Sequence, residues 1–297
     1  MRSFLSVRVR RLAVGLAATT CVVATAACSS DEAAGPGASS RSPAPSSEPA
    51  EGTYLALGDS VPFGYRGGAT AEFADPENFV GYPELVAEEL GLDVVNASCP
   101  GESTASFIDV TAQSNGCGNS LQSEFGYRTA YPLHAMYDAR DQSQLDFAVR
   151  TLAETEVELV TVQIGANDAF LCQQTTADGC SSEASIQALG QTVQANLDRI
   201  LKALRAQYDG QIVVVTYYAL DYSDAVGQAT QVLGGGLAQI AAANGADVAD
   251  GYEAFRGPAA AAGGDLVAAG LVLSDDVHPS EEGQRLLAGA VTAVVEG

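Results

Sequence analysis

The sequence predicts a three-layer α/β fold, a flavodoxin-like, doubly wound sheet of five parallel strands covered by helices on both faces. Short apolar runs recur along the chain at Tyr54–Leu57, Leu92–Val95, Val157–Ile164, Ile212–Thr216 and Ala246–Ala249. They are rich in Val, Ile and Leu, and Ile212–Val215 is unbroken, as strands buried on both faces should be. Helical patterns separate them, and this alternation marks a parallel sheet. The chain contains no internal repeat.

The strongest helical pattern places Leu189, Val193, Leu197, Ile200 and Leu204 on one face, at i, i+4, i+8, i+11 and i+15. Phe79–Leu90 and Gln144–Leu152 are further helices. A last helix is expected from Ser280, an N-cap residue followed by Glu281 and Glu282 in the first turn. Two stretches break the rhythm: Glu102–Ser143, rich in aromatics, and Leu171–Ser185, read as a polar loop. Long insertions of this kind serve as lids or binding loops. Alternatively, Phe107, Phe125, Tyr127, Tyr131 and Tyr137 pack the insertion onto the sheet.

The N-terminus reads as a targeting segment, residues 1–27. Arg2, Arg8, Arg10 and Arg11 precede the uncharged stretch Leu12–Ala27, which ends at Thr25-Ala26-Ala27-Cys28. Sixteen Ala- and Thr-rich residues are short for a bilayer span of about 20 apolar residues. The ending resembles a bacterial lipoprotein signal with Cys28 acylated, although Thr25 stands where that pattern usually has Leu. Cleavage after Ala26 or Ala27 is the other reading. The protein is thus expected to be exported, anchored on the outer face of the membrane or secreted. Residues 29–51, mostly Ser, Pro, Ala, Gly and acid, form a linker that cannot bury a core. As a flexible coil it would span roughly 26 Å. Residues 52–297 suffice for one α/β domain.

The signal carries four of the 14 basic residues and none of the 37 acids, so its removal takes the net charge from −23 to −27. That balance excludes nucleic acid, whose phosphates demand a basic footprint, and electrostatic adhesion to anionic lipid. Beyond Cys21 and Cys28, four cysteines remain: Cys99, Cys117, Cys172 and Cys180. In an oxidising compartment they read as two disulfides with three possible connectivities, the sequence-local pairs Cys99–Cys117 and Cys172–Cys180 being preferred. Their spacings are unlike those of a metal site, and no His clusters with them.

In open α/β sheets the ligand crevice lies beyond the carboxyl ends of the strands. Gly58-Asp59-Ser60 follows strand one, where a serine at a strand-to-helix turn is exposed; an ordinary helix cap is the bland reading. Gly101 follows strand two and Gly165-Ala166-Asn167-Asp168 strand three, both also compatible with plain turns. Near the C-terminus stands Asp275-Asp276-Val277-His278-Pro279, carrying one of only two histidines; the other is His134. A serine nucleophile needs a base, and that base needs a third group to hold its tautomer. His278 can supply the first and Asp275 the second.

Gly58-Asp59-Ser60, Gly101, Gly165-x-Asn167-Asp168 and Asp275-x-x-His278 together resemble the ordered blocks of the SGNH/GDSL hydrolases, with Val61 where the name-giving motif has Leu. Gln144–Ala148 and Gln163–Phe170 are most similar to secreted actinobacterial members. The resemblance implies a carboxylic-ester hydrolase with Ser60 as nucleophile, His278 as base and Asp275 as its orienting acid. It implies an oxyanion hole from the backbone N–H groups of Ser60 and Gly101 and the Asn167 side chain. Asp59, Asp168 and Asp276 are left to capping and turn support, and His134 to structure or a lid. No cofactor or metal is implied, and no Gly-rich phosphate loop marks a flavin or nucleotide binder. A monomer acting on small-molecule or lipid esters is expected, lipid or aryl esters first. A carbohydrate O-acetylesterase or acyltransferase is the alternative, and a non-enzymatic binding module the most distant reading.

Overall fold

Five parallel strands form the middle layer, and side-chain alternation along each sends successive residues to opposite faces. The computed structural model describes residues 52–68, 71–223, 225–274 and 276–297, all within one compact unit, Ser47–Gly297. The expected signal, Cys28 and the expected linker to residue 51 lie outside the described residues. The strands are β1 (Thr53–Gly58), β2 (Asp93–Asn96), β3 (Val157–Gln163), β4 (Gln211–Val215) and β5 (Asp247–Ala249), in the order β2-β1-β3-β4-β5. This is the expected doubly wound sheet, whose order reverses between β1 and β3.

The helices are α1 (Tyr82–Leu90), α2 (Thr104–Ile108), α3 (Tyr127–Ala130), α4 (Gln144–Glu154), α5 (Ala166–Thr175), α6 (Glu183–Arg205), α7 (Ala225–Ala243), α8 (Gly251–Ala261) and α9 (Glu281–Val295). Leu55, Leu57, Val160 and Val162 bury one sheet face against α4, α6 and α7 through Phe147, Leu152, Leu197, Ile200, Leu204 and Leu237. Tyr54, Ala56, Leu159, Val213 and Val215 pack the other face against α1, α8 and α9 through Tyr82, Val86, Phe255 and Leu287. Each fully buried aliphatic or aromatic side chain stabilises by about 1.5–3 kcal/mol. Ser143, Ser182 and Ser280 cap α4, α6 and α9 by accepting backbone N–H bonds. Among the described residues no helix is long and apolar enough to cross a membrane.

Five helices were not expected: α2 and α3 lie within the insertion Glu102–Ser143, and the others are α5, α7 and α8. Residues Leu171–Ser185 are not a loop: α5 runs to Thr175, and only a short turn separates it from α6. The disulfide Cys172–Cys180 closes that turn, where Cys180 adopts φ 60°. α7 and α8 form despite Gly234-Gly235-Gly236 and Pro258, because apolar positions such as Leu237 and Phe255 are buried against the sheet and packing outweighs propensity.

Candidate active site

The turn after β1 is held from several sides. Gly58 has φ 145°, and a Cβ there would sit 2.0 Å from the Gln163 carbonyl oxygen, so no larger residue fits. The Gln144 amide brackets Gly58, accepting its N–H at 2.6 Å and donating to its carbonyl at 3.0 Å. Asp59 N–H donates to the Gln163 carbonyl at 3.2 Å, and Gln284 of α9 donates to the Val61 carbonyl at 3.0 Å. Ser60 sits in the middle of this clamp. It does not begin a helix, as its sequence context had suggested. The Asp59 carboxylate takes the Val61 N–H at 3.0 Å, an Asx-type contact that competes with helical bonding, and Tyr65 N–H closes the turn on the Ser60 carbonyl at 2.9 Å.

His278 arrives from the loop before α9. Leu273 N–H donates to its carbonyl at 3.0 Å, and the Tyr218 hydroxyl donates to the neighbouring Val277 carbonyl at 2.5 Å. Its Nε2 lies 2.8 Å from Ser60 Oγ, across 218 residues of sequence. Its Nδ1 lies 2.5 Å from Asp276 Oδ1, and the Tyr65 ring meets the imidazole edge-on at 4.9 Å. Asp276 also accepts N–H bonds from Val277 at 2.7 Å and Gly67 at 3.1 Å. Partial burial pushes the Asp276 carboxyl up, but the hydrogen bond and charge of His278, helped by those N–H groups, hold it well below the usual carboxylate range. A carboxylate on Nδ1 keeps the proton there and leaves the Nε2 lone pair facing the serine hydroxyl.

The family resemblance points to Asp275 for the orienting contact, and Asp275 lies outside the described residues. Asp276, left by the sequence reading to turn support, makes the contact. Two backbone N–H groups aim its carboxylate, and it meets the one proton that Nδ1 can donate. Turn support and orientation are here the work of one side chain.

Gly101 has φ 85°, and a Cβ there would lie 2.7 Å from the Asn115 carbonyl oxygen, which reserves the position for glycine. Among the described residues neither the Ser60 nor the Gly101 backbone N–H has an acceptor within the protein. Both residues line one cleft with Asn167 and His278. Asn167 is the second residue of α5 rather than part of a turn. Its Nδ2 donates to Asp59 Oδ2 at 3.4 Å, and its Oδ1 accepts from Asn115 Nδ2 at 2.9 Å. Asp59 accepts also from the Tyr217 hydroxyl at 2.5 Å. Burial pushes its carboxyl up to about 6, against the pull of Tyr217, Val61 and His278. Asp168 instead accepts from the backbone N–H and hydroxyl of Thr104, at 2.9 and 2.6 Å, tying α5 to the start of α2. Ser60, Gly101 and Asn167 thus bring three N–H donors to the lining of one cleft, donors of the kind that stabilise a developing oxyanion.

The disulfide Cys99–Cys117 closes the loop that carries Gly101. Buried beside it, the Glu102 carboxylate accepts from Gln144 Nε2 at 3.2 Å and from the Ser106 hydroxyl. Burial pushes this carboxyl up to about 7, against the hydrogen bond from Ser106 and the charge of Arg128. Cys99, Glu102 and Cys117 converge, but the disulfide consumes both thiols and leaves a single carboxylate, which is no metal site.

The cleft encloses about 500 Å³. Ala169 and Phe170 of α5, Leu233 and Leu237 of α7, and Leu220 give it a largely apolar wall. The aromatics of the insertion therefore do not build the pocket, apart from Tyr127 at its edge. Phe107 joins the core, Tyr137 packs on Phe147, Tyr131 leans at a tilt on Phe73, and Phe125 is exposed. His134 is a packing residue: Nε2 lies 3.0 Å from the Phe63 carbonyl oxygen and its ring leans on the Phe63 ring. Asn115, Gln144, Gln284 and Tyr217 escaped the sequence reading. For Asn115 the only signal was its place two residues before Cys117.

A family model described as GDSL-like lipase/acylhydrolase matches residues 56–286. The fold is similar to that of an extracellular lipase from Streptomyces rimosus, with 20% identity and a TM-score of 0.53 over 82% of this chain and 99% of that one. It is similar to phospholipase A1 from Streptomyces albidoflavus NA297, with 18% identity and a TM-score of 0.51 over 82% and 99%. A catalytic mutant of an acetylxylan esterase from Geobacillus stearothermophilus aligns at 17% identity and a TM-score of 0.54, over 84% and 97%. A search of curated protein sequences finds no match.

Proposed function

The chain belongs to the GDSL-like lipase/acylhydrolase family and is by that membership a carboxylic-ester hydrolase; from this premise we propose an exported serine esterase working through Ser60, His278 and Asp276. One observation carries the reading: Ser60 Oγ and His278 Nε2 stand 2.8 Å apart while Asp276 engages the far side of the ring. Ser60 Oγ attacks the ester carbonyl carbon and gives its proton to His278 Nε2. The carbonyl oxygen, now negative, takes hydrogen bonds from the Ser60 and Gly101 N–H groups and from Asn167 Nδ2. Collapse of the tetrahedral centre breaks the bond to the alcohol, which leaves with the proton from His278. Water then attacks the acyl-enzyme, His278 takes its proton, and the acid is released as Ser60 recovers its hydrogen.

The apolar wall of α5 and α7 favours an acyl chain lying along it, so lipid or aryl esters are the proposed substrates. The N-terminal reading adds a tether through acylated Cys28, which cell fractionation of a Cys28→Ser variant tests: the variant should leave the membrane fraction. Activity is tested with p-nitrophenyl esters from acetate to palmitate. We expect turnover that rises beyond acetate and vanishes in Ser60→Ala, which should remain folded. Turnover of acetate alone would transfer the proposal to carbohydrate acetyl esters. A fully active Ser60→Ala protein would refute the mechanism.

A further inference from the structure

The Asn167 carboxamide poses a problem of direction. Its two ends are nearly alike in shape, yet only the NH₂ end can donate to an oxyanion; turned over, it would present a carbonyl oxygen to a negative charge. Two contacts set the direction. Asp59, which already accepts from Tyr217 and Val61, faces Nδ2 at 3.4 Å. Asn115 Nδ2 donates to Oδ1 at the shorter distance of 2.9 Å. Asn115 is directed in turn, because Gln174 Nε2 donates to its Oδ1 at 3.2 Å while donating also to the Phe170 carbonyl on α5. One hydrogen of Asn167 Nδ2 points to Asp59, and the other is left for a ligand in the cleft.

The same residue holds the second donor. Asn115 N–H donates to the Gly101 carbonyl at 2.8 Å, and the Asn115 carbonyl oxygen closes the space over Gly101. Its side chain grips one donor and its main chain the other. We propose that Asn115 is a positioning residue of ester hydrolysis, aligning the Gly101 N–H and the Asn167 amide toward one oxyanion position. The inference rests on the proposed serine esterase mechanism and adds a residue to it.

Asn115→Ala and Asn115→Asp separate positioning from mere support. Removing the donor in Asn115→Ala leaves only the long Asp59 contact to direct Asn167, and kcat should fall about 10-fold or more with KM little changed. The aspartate variant is nearly the same shape but can only accept. It draws Asn167 Nδ2 toward itself and turns Oδ1 to the oxyanion, so its kcat should fall further, by the 10²–10³ that a lost donor costs. Affinity for an alkylboronic acid, which forms a tetrahedral adduct on the serine, should weaken in the same order. A structural role predicts the reverse ranking, with the near-isosteric aspartate milder and the losses following thermal midpoints. In an Asn167→Ala background both substitutions should lose most of their effect. This cycle reads the coupling even where one variant is less stable. Wild-type kcat in both variants, or Asn115→Asp at or above Asn115→Ala, overturns the positioning role while the esterase reading stands. A wild type that turns over no ester overturns both.

Discussion

Glu102→Gln tests the electrostatics beneath the site. Glu102 is 2% exposed, and burial pushes its carboxyl up to about 7 from an ordinary value of 4.5. The folded state therefore binds this proton more tightly than the unfolded chain. Stability from the group is fully present below about 4.5 and is lost as pH rises through about 7. At 1.36 kcal/mol per pH unit, the 2.5-unit gap is worth about 3 kcal/mol, most of it lost between pH 5 and pH 8. Glutamine keeps the shape of the protonated acid but cannot ionise. Denaturant unfolding of both proteins at pH 5 and pH 8 gives the double difference. Wild type should lose about 2–3 kcal/mol more than Glu102→Gln over that interval. Asp59, raised to about 6, titrates in both proteins and contributes to both curves. Equal pH dependence in the two would refute the claim that Glu102 is forced to ionise in a dry setting. A larger loss in the variant would reverse its sign.

Asp276→Asn should lower kcat by about 10⁴, the order seen when a serine hydrolase loses the carboxylate on its base, whereas Asp275→Asn should stay within about twofold; the opposite ranking would return the role to Asp275. Gly101→Ala forces a Cβ into the Asn115 carbonyl and displaces a donor, so kcat should fall about 10²–10³, measured on p-nitrophenyl esters with circular dichroism to confirm the fold. Leu233→Trp fills the α7 side of the cleft and should raise KM for long acyl chains with little effect on acetate; an unchanged chain-length profile would place the acyl group elsewhere.

The strands were legible because a strand covered on both faces is largely apolar, as Ile212–Val215 is throughout, and few other elements look like it. α6 was legible because its buried residues keep a helical period over 23 residues. α7 was not, since a triple glycine reads as a break and only its burial overrules that. α5 carries Asn167 and Asp168 in its first turn and continues through Gln173, Gln174 and Thr175, so its polarity passed for a loop. In the site, Ser60 and His278 stood out through the motif and the scarcity of histidine. The choice between Asp275 and Asp276 was beyond spacing, because adjacent acids differ only in where the turn sends them. Asn115 was hidden for a different reason: its meaning depends on a fold-back that brings it to Gly101.

That fold-back belongs to the Cys99–Cys117 bridge, whose 18-residue span encloses both Gly101 and Asn115. Its two cysteines are 0% and 1% exposed, so small reductants and oxidants have little access once the domain has closed. That burial predicts that this pair oxidises before the insertion settles over the sheet. In the chain-entropy model a bridge of this span contributes about 3 kcal/mol, yet its timing matters as much as its strength. A chain synthesised where thiols stay reduced should assemble its sheet and lag in acquiring turnover, and alkylation of free thiols during refolding would date the two events separately. Were the chain exported as proposed, newly made enzyme would be switched on by the oxidising compartment it reached, long after its strands were in register.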